Sequence, residues 1–150
     1  MKTRNALLLL PLCMLLLMMT GCATVSMMAS DDDARAKTFA VKPGKANIYL
    51  YRHETFGAAI KMPVSVNGRM AGQTASKTYF LWEVDPGTYD ISSHTENTST
   101  IKLIVEAGKN YFVWQEVKMG LFMARSELQQ VDDESGRRAV AECNRAESGF

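Results

Sequence analysis

The stretch MPVSVNGRMAGQ, residues 62–73, decides the fold. Apolar and small residues alternate on either side of Asn67-Gly68, the dipeptide that most strongly marks a two-residue hairpin, because both central positions of a type I′ turn need positive φ. The reading is a strand over Met62–Val66, a tight turn, and a return strand over Arg69–Gln73. The same period of two runs through the neighbours. Ala46–Arg52 (ANIYLYR) sets Ile48 and Leu50 on one face and Tyr49 and Tyr51 on the other. Thr78–Val84 (TYFLWEV) ends at Asp85-Pro86-Gly87, where proline presets one turn residue and glycine is expected to supply a positive φ. Thr88–Thr95 returns from that turn.

After a loop at Glu96–Thr98, Thr100–Glu106 alternates Ile101, Leu103 and Val105 with polar residues. Ala107-Gly108-Lys109 turns the chain into Asn110–Val117, and Leu121–Val131 reads as one more strand. Seven or eight short strands separated by turn residues predict a mainly β chain, an antiparallel β-sandwich over residues 46–131. Residues 132–150 form a C-terminal extension in which Asp133–Asn144, poorer in β-formers, would make a short helix with Ala139, Val140 and Cys143 on one side.

Upstream of the sandwich, residues 23–45 have no sustained period and carry Ser26, Ser30, Asp31, Asp32, Asp33, Lys42, Pro43 and Gly44. Together with Cys22 they read as a flexible tether spanning roughly 25 Å root-mean-square and about 80 Å if fully stretched. A short helix around Asp33–Phe39 fits within it.

Residues 1–21 read as a secretion signal. Lys2 and Arg4 form a positive n-region, and 14 residues from Ala6 to Met19 form an apolar run that includes Pro11. A spanning helix needs about 20 apolar residues, whereas a signal h-region needs about 7–15. The run ends Met19-Thr20-Gly21-Cys22, which resembles the lipobox of bacterial lipoproteins. That resemblance implies cleavage between Gly21 and Cys22 and two or three acyl chains, palmitate among them, on Cys22. Several chains hold a protein to a membrane far more firmly than one. Residue 23 is alanine rather than the aspartate that retains such lipoproteins at the inner membrane, so the expected location is the outer membrane, domain facing the periplasm.

Composition excludes some classes. Without Lys2 and Arg4 of the signal, 15 of the 17 basic residues remain against 16 acidic ones, with no basic block, so nucleic acid is not an expected partner. Cys13 leaves with the signal and Cys22 takes lipid, which leaves Cys143 alone. The mature chain has only His53 and His94, too few with one thiol to predict a metal site, and no Gly-rich phosphate loop, so no metal and no cofactor is expected. Asp90, Ser92 and His94 alternate onto one face, with Glu96 beyond, but same-face neighbours on a strand lie about 6.6–7 Å apart, too far for a short serine side chain. The polar face of an antiparallel sheet explains them, and no catalytic residue is assigned.

Aromatic residues give the functional candidate. Tyr49 and Tyr51 point away from Ile48 and Leu50, so this pair is the candidate ligand platform, which Trp82 or Trp114 could extend.

Several short motifs together resemble an uncharacterised family of small proteobacterial lipoproteins. They are Ile48-Tyr-Leu-Tyr-Arg52, Lys61-Met-Pro-Val-Ser-Val-Asn-Gly-Arg69, Thr78-Tyr-Phe80, Val84-Asp-Pro-Gly-Thr-Tyr-Asp-Ile91 and Glu106-Ala-Gly-Lys-Asn-Tyr-Phe112. The shared words are a YxYR strand, a PVxVDG hairpin, a PPGxY turn and an AGKxYF strand start. His53 stands where proline is common, and Asn67 replaces the hairpin aspartate. The PGxY turn also resembles PEGA-type and carboxypeptidase-regulatory-like sandwiches, which are often envelope binding modules. The resemblance implies a fold and no site. The expected function is a membrane-anchored, non-enzymatic module that binds an envelope protein or glycan. An accessory subunit that assembles or stabilises a membrane complex is the alternative.

Overall fold

The structure is a computed structural model that describes residues 22–150; the expected signal at residues 1–21, Gly21 included, lies outside the described residues. The strands are β1 (Ala46–Arg52), β2 (Met62–Val66), β3 (Arg69–Thr74), β4 (Thr78–Val84), β5 (Gly87–His94), β6 (Thr98–Val105), β7 (Asn110–Lys118), β8 (Arg125–Val131) and β9 (Asn144–Arg145). Among the described residues two helices join them, α1 (Ser30–Ala36) and α2 (Asp133–Ala141). A five-stranded sheet in the order β8-β7-β1-β4-β9 faces a four-stranded sheet in the order β3-β2-β5-β6. The expected sandwich is therefore present, with nine strands.

The Asn67-Gly68 turn forms as expected, with φ of 49° and 78°. Gly87 differs: it opens β5 opposite Val105 without a positive φ. The larger difference is direction. Alternation marks a strand but carries no information about its sense, and β1 lies antiparallel to β4 but parallel to β7. The five-stranded sheet is therefore mixed rather than wholly antiparallel. Because β1 and β7 run the same way, the loops that follow them, residues 53–61 and 119–124, leave from the same end of the sandwich.

Two apolar clusters sit on the two faces of the five-stranded sheet. Ile48, Leu50, Phe80, Trp82 and Val113 meet Val64, Val66, Ile91 and Leu103 between the sheets. On the other face Tyr49, Tyr51, Tyr79 and Phe112 pack under Ala36 of α1 and Val140 and Cys143 near α2. The architecture is helices, sheet, sheet, and every residue of β1 is buried. A polar chain also crosses the interior: Thr74 Oγ1 donates to Gln115 Oε1 (2.5 Å), Gln115 Nε2 donates to Ser93 Oγ (2.6 Å), and Ser93 Oγ bonds Ser126 Oγ (2.7 Å). It links β3, β7, β5 and β8, so sliding one sheet over the other would strand buried polar groups.

Helix α2 is started by Asp132, whose carboxylate accepts from the Ser135 N–H at 2.9 Å. It lies so close to the sheet that a Cβ on Gly136 would meet Phe112 Cγ at 2.1 Å.

The segment before β1 corrects the expected tether. Helix α1 begins three residues earlier than the expected one, and Asp33 within it binds three groups at once, two of them on β4 and β9. Its carboxylate accepts from Lys37 Nζ (2.7 Å), Tyr79 OH (2.8 Å) and the Arg145 N–H (2.9 Å). Tyr49 OH donates to the Ala36 carbonyl at 2.8 Å. Before α1, Met27 bridges Ala146, and the Glu147 N–H donates to the Ser26 carbonyl (2.9 Å). The segment lacks hydrophobic period because it is held by backbone pairing and a half-buried carboxylate, neither of which leaves a periodic trace.

Two consequences can be measured. Gly136→Ala forces α2 off Phe112 and should lower stability by about 1–3 kcal/mol in urea unfolding, the range for overpacked interiors; an unchanged midpoint contradicts the close approach. Burial alone would raise the Asp33 pKa, but the hydrogen bonds from Lys37, Tyr79 and Arg145 outweigh it and hold the carboxyl below its ordinary value of 3.8. Its contribution is thus complete above that value and lost as pH falls through the lower folded one. Asp33→Asn should cost about 2 kcal/mol at pH 7. The gap in melting temperature from wild type should stay constant down to about pH 5 and shrink below about pH 4.

Candidate functional site

The polar set on β5 does not converge. Ser92 Oγ bonds Thr100 Oγ1 across the strand pair (2.8 Å), and Asp90 lies 3.8 Å from Lys102 Nζ. His94 Nε2 instead meets Ser65 Oγ of β2 at 2.8 Å. Ser65 was not singled out by the sequence, because its approach depends on the register that sets Ser65 opposite Ser92, two residues from His94. His94 has no carboxylate hydrogen-bond partner among the described residues.

The expected tyrosine platform is corrected. Tyr49 is 0% and Tyr51 2% exposed, because the helical layer covers the face they occupy. Tyr49 stacks on Phe112 with ring centroids 5.0 Å apart. Burial pushes each phenol up to about 12, so both are neutral packing groups. Trp82 is buried too and donates from Nε1 to Ser148 Oγ (2.8 Å).

Like Phe39, Trp114 stays half-buried on this side of the sheet. It lines a cleft of about 410 Å³ together with Tyr51, His53, Asp132, Arg138 and Glu142. The His53 ring lies 5.4 Å from Trp114 and 5.7 Å from Tyr51. Trp114 Nε1 donates to Glu54 Oε1 at 2.7 Å, which fixes the indole. His53 Nδ1 and Glu54 Oε2 are buried atoms without a hydrogen-bond partner among the described residues. Burying such groups unpaired costs free energy, and His53 is the one of the two that lines the cleft, so a ligand that pairs with it gains the difference. The sequence offered hints of this place in the aromatics Tyr51 and Trp114 and in the departure at His53.

The expected lipidation site, Cys22, is exposed. The next residue is held: the Ala23 N–H donates to the Ala58 carbonyl (3.0 Å) in the loop after β1. That loop is organised by Arg52, 0% exposed, whose guanidinium donates to the carbonyls of Ile60 (2.7 Å), Phe56 (3.3 Å) and Gly57 (2.5 Å). Among the described residues no group of three or more His, Cys, Asp or Glu stands together as a metal site. No described helix is long and apolar enough to cross a membrane.

Fold and cleft define a small, mainly β two-sheet sandwich with a helical cover and a shallow aromatic cleft at the edge of that cover. The chain belongs to the family described as a protein of unknown function (DUF2846), whose model matches residues 42–127. It is 32% identical over 134 residues to an uncharacterized protein of Haemophilus influenzae, covering 88% of this chain and 80% of that one. The family match spans β1–β7 and the first residues of β8, while α1 and α2 lie outside it.

Cys143 sits in the cluster under α2, and burial pushes its thiol up to about 12. In a protein with both Cys13 and Cys22 replaced by serine, thiol reagents at pH 8 should label nothing until denaturant is added, after which one thiol reacts. Rapid labelling of the native protein would contradict the packing of this segment.

Proposed function

We propose that this chain is a lipid-anchored envelope lipoprotein, non-enzymatic, held by acyl chains on Cys22 at the periplasmic face of the outer membrane, and that its Trp114–His53 cleft binds an envelope component. The Met19-Thr20-Gly21-Cys22 lipobox and Ala23 support the anchor and its location, and the likeness to PEGA-type modules belongs to the same reading. The observation that carries the binding role is the cleft itself: an indole fixed by Glu54 beside His53, whose Nδ1 has no hydrogen-bond partner among the described residues. An aromatic face with a few hydrogen-bonding groups suits a sugar ring or a peptide strand of the cell wall. His53 and Trp114 make a binding surface here and are assigned no chemical step.

Two assays test the proposal. Intact-mass analysis of the membrane fraction should find a lipid-sized increment on the wild type that Cys22→Ser lacks; an unmodified, freely soluble wild type contradicts the anchor. Purified wild type should be retained on isolated peptidoglycan, and Trp114→Ala should weaken retention by about tenfold or more, as for a central aromatic contact. Equal retention of both proteins, or of neither, contradicts the cleft as the binding site. A stoichiometric protein that co-purifies equally well with Trp114→Ala would favour an accessory subunit instead.

A further inference from the structure

The loop between β7 and β8 exposes four large apolar side chains in five residues. Leu121 is 86% and Phe122 93% exposed, and Met119 and Met123 project beside them. Phe56 and Ile60, from the loop after β1, are exposed as well and line the same cleft of about 380 Å³ with them. The loop is specified rather than loose. Glu96 accepts from the backbone N–H groups of Leu121 (3.2 Å), Phe122 (2.9 Å) and Met123 (2.9 Å). These donors hold its carboxyl below the usual glutamate value. The fold thus fixes a turn whose apolar side chains point outward, and a contiguous apolar patch of this kind marks a contact surface.

The position of the chain start selects the occupant. Ala23 is bonded to Ala58, two residues from both Phe56 and Ile60, so Cys22 leaves the domain at this end. No slack chain stands between the expected lipid and the apolar loops. A group held that close to a bilayer faces it at very high effective concentration, and weak interfacial affinity then suffices. Lys61 follows Ile60, and Arg125 closes the loop after Ala124, so cationic side chains flank both apolar segments, as suits anionic headgroups.

We infer that Leu121, Phe122 and their neighbours, with Phe56 and Ile60, seat in the same bilayer leaflet that holds the acyl chains of Cys22, docking the sandwich on the membrane in one orientation. This rests on the lipid anchor proposed above, and it replaces a domain swinging on a tether with one that lies against the lipid surface. Membrane contact at this end also gives the exposed loop an apolar environment without any protein partner.

The test uses full-length protein recovered from membranes and reconstituted in vesicles of phosphatidylethanolamine and phosphatidylglycerol carrying brominated acyl chains. Phe122→Trp places a reporter on the loop, and Ile104→Trp places one on the exposed face of the four-stranded sheet. Emission is compared with wild type, whose Trp82 and Trp114 set the background. A side chain seated at the headgroup–acyl boundary, about 5–10 Å deep, is reached by the bromines. The added emission of Phe122→Trp should shift to the blue and lose most of its intensity, while that of Ile104→Trp stays unchanged. Intact mass of the same samples separates the two claims. Lipid on Cys22 with an unquenched Phe122→Trp reporter overturns the docking and leaves the anchor standing. Quenching without lipid on Cys22 supports the docking and removes the anchor. A loop shielded by a co-purifying protein and unquenched assigns the patch to that partner and overturns the inference.

Discussion

Burial of both faces of β1 is the constraint on which the rest of the molecule depends. Ile48 and Leu50 need a second sheet above them, and Tyr49 and Tyr51 need a helical layer below. β1 also lies at the centre of its sheet, flanked by β4 and β7, so its backbone groups are paired on both edges. The parallel pair with β7 then brings two long loops to one end, where Arg52 closes the strand. A buried guanidinium loses its hydration, and desolvation pulls the Arg52 pKa down. Three loop carbonyls replace the lost water, so the cation and the loop hold each other in place. Loop 53–61, the strap that begins at Ala23 and the cleft beside His53 all lie on that arrangement.

The strands were legible in the sequence because each leaves a local mark. Alternation, the Asn67-Gly68 turn and the change of composition after Val131 identify the sandwich and its C-terminal helix. What local marks do not encode is partner and direction. ANIYLYR reads equally as a strand with one wet face or as one buried on both, and only the presence of α1 and α2 over Tyr49 and Tyr51 decides between them. The polar composition of residues 23–45 suggested free chain for a related reason. Asp33 looks like one of three surface acids, whereas its neighbours in space come from β4 and β9, far along the chain. Gly87 shows the limit at the smallest scale, since a Pro-Gly pair fixes a turn without fixing which residue takes the unusual backbone.

The candidate site was less legible than the fold. Of the residues singled out, Tyr51 reaches the cleft but only from beneath, Tyr49 is sealed, and Trp114 is the aromatic with a usable face. The histidines separate as well: His94 is tied to a serine on the polar outer sheet, and His53 sits in the cleft with one nitrogen unpaired. The family to which the chain belongs is described as being of unknown function, so a role rests on these side chains. The ordered segment from Ala23 to β1 matters physically. A domain on a slack tether samples a shell of positions, whereas a domain fixed at Ala23 would present the cleft and the apolar loops at set distances from the lipid proposed on Cys22.

Amide hydrogen exchange over residues 23–39 tests this account most directly, because it asks whether the segment before β1 belongs to the folded unit. The account predicts slow exchange at Met28, bonded to the Arg145 carbonyl, and at Lys37, bonded to the Asp33 carbonyl at the end of α1. Protection at both should approach that of β1 and be lost together when Asp33 is replaced. Exchange at the rate of an unstructured chain throughout 23–39, with β1 still protected, would contradict it and restore the picture of a sandwich on a free tether.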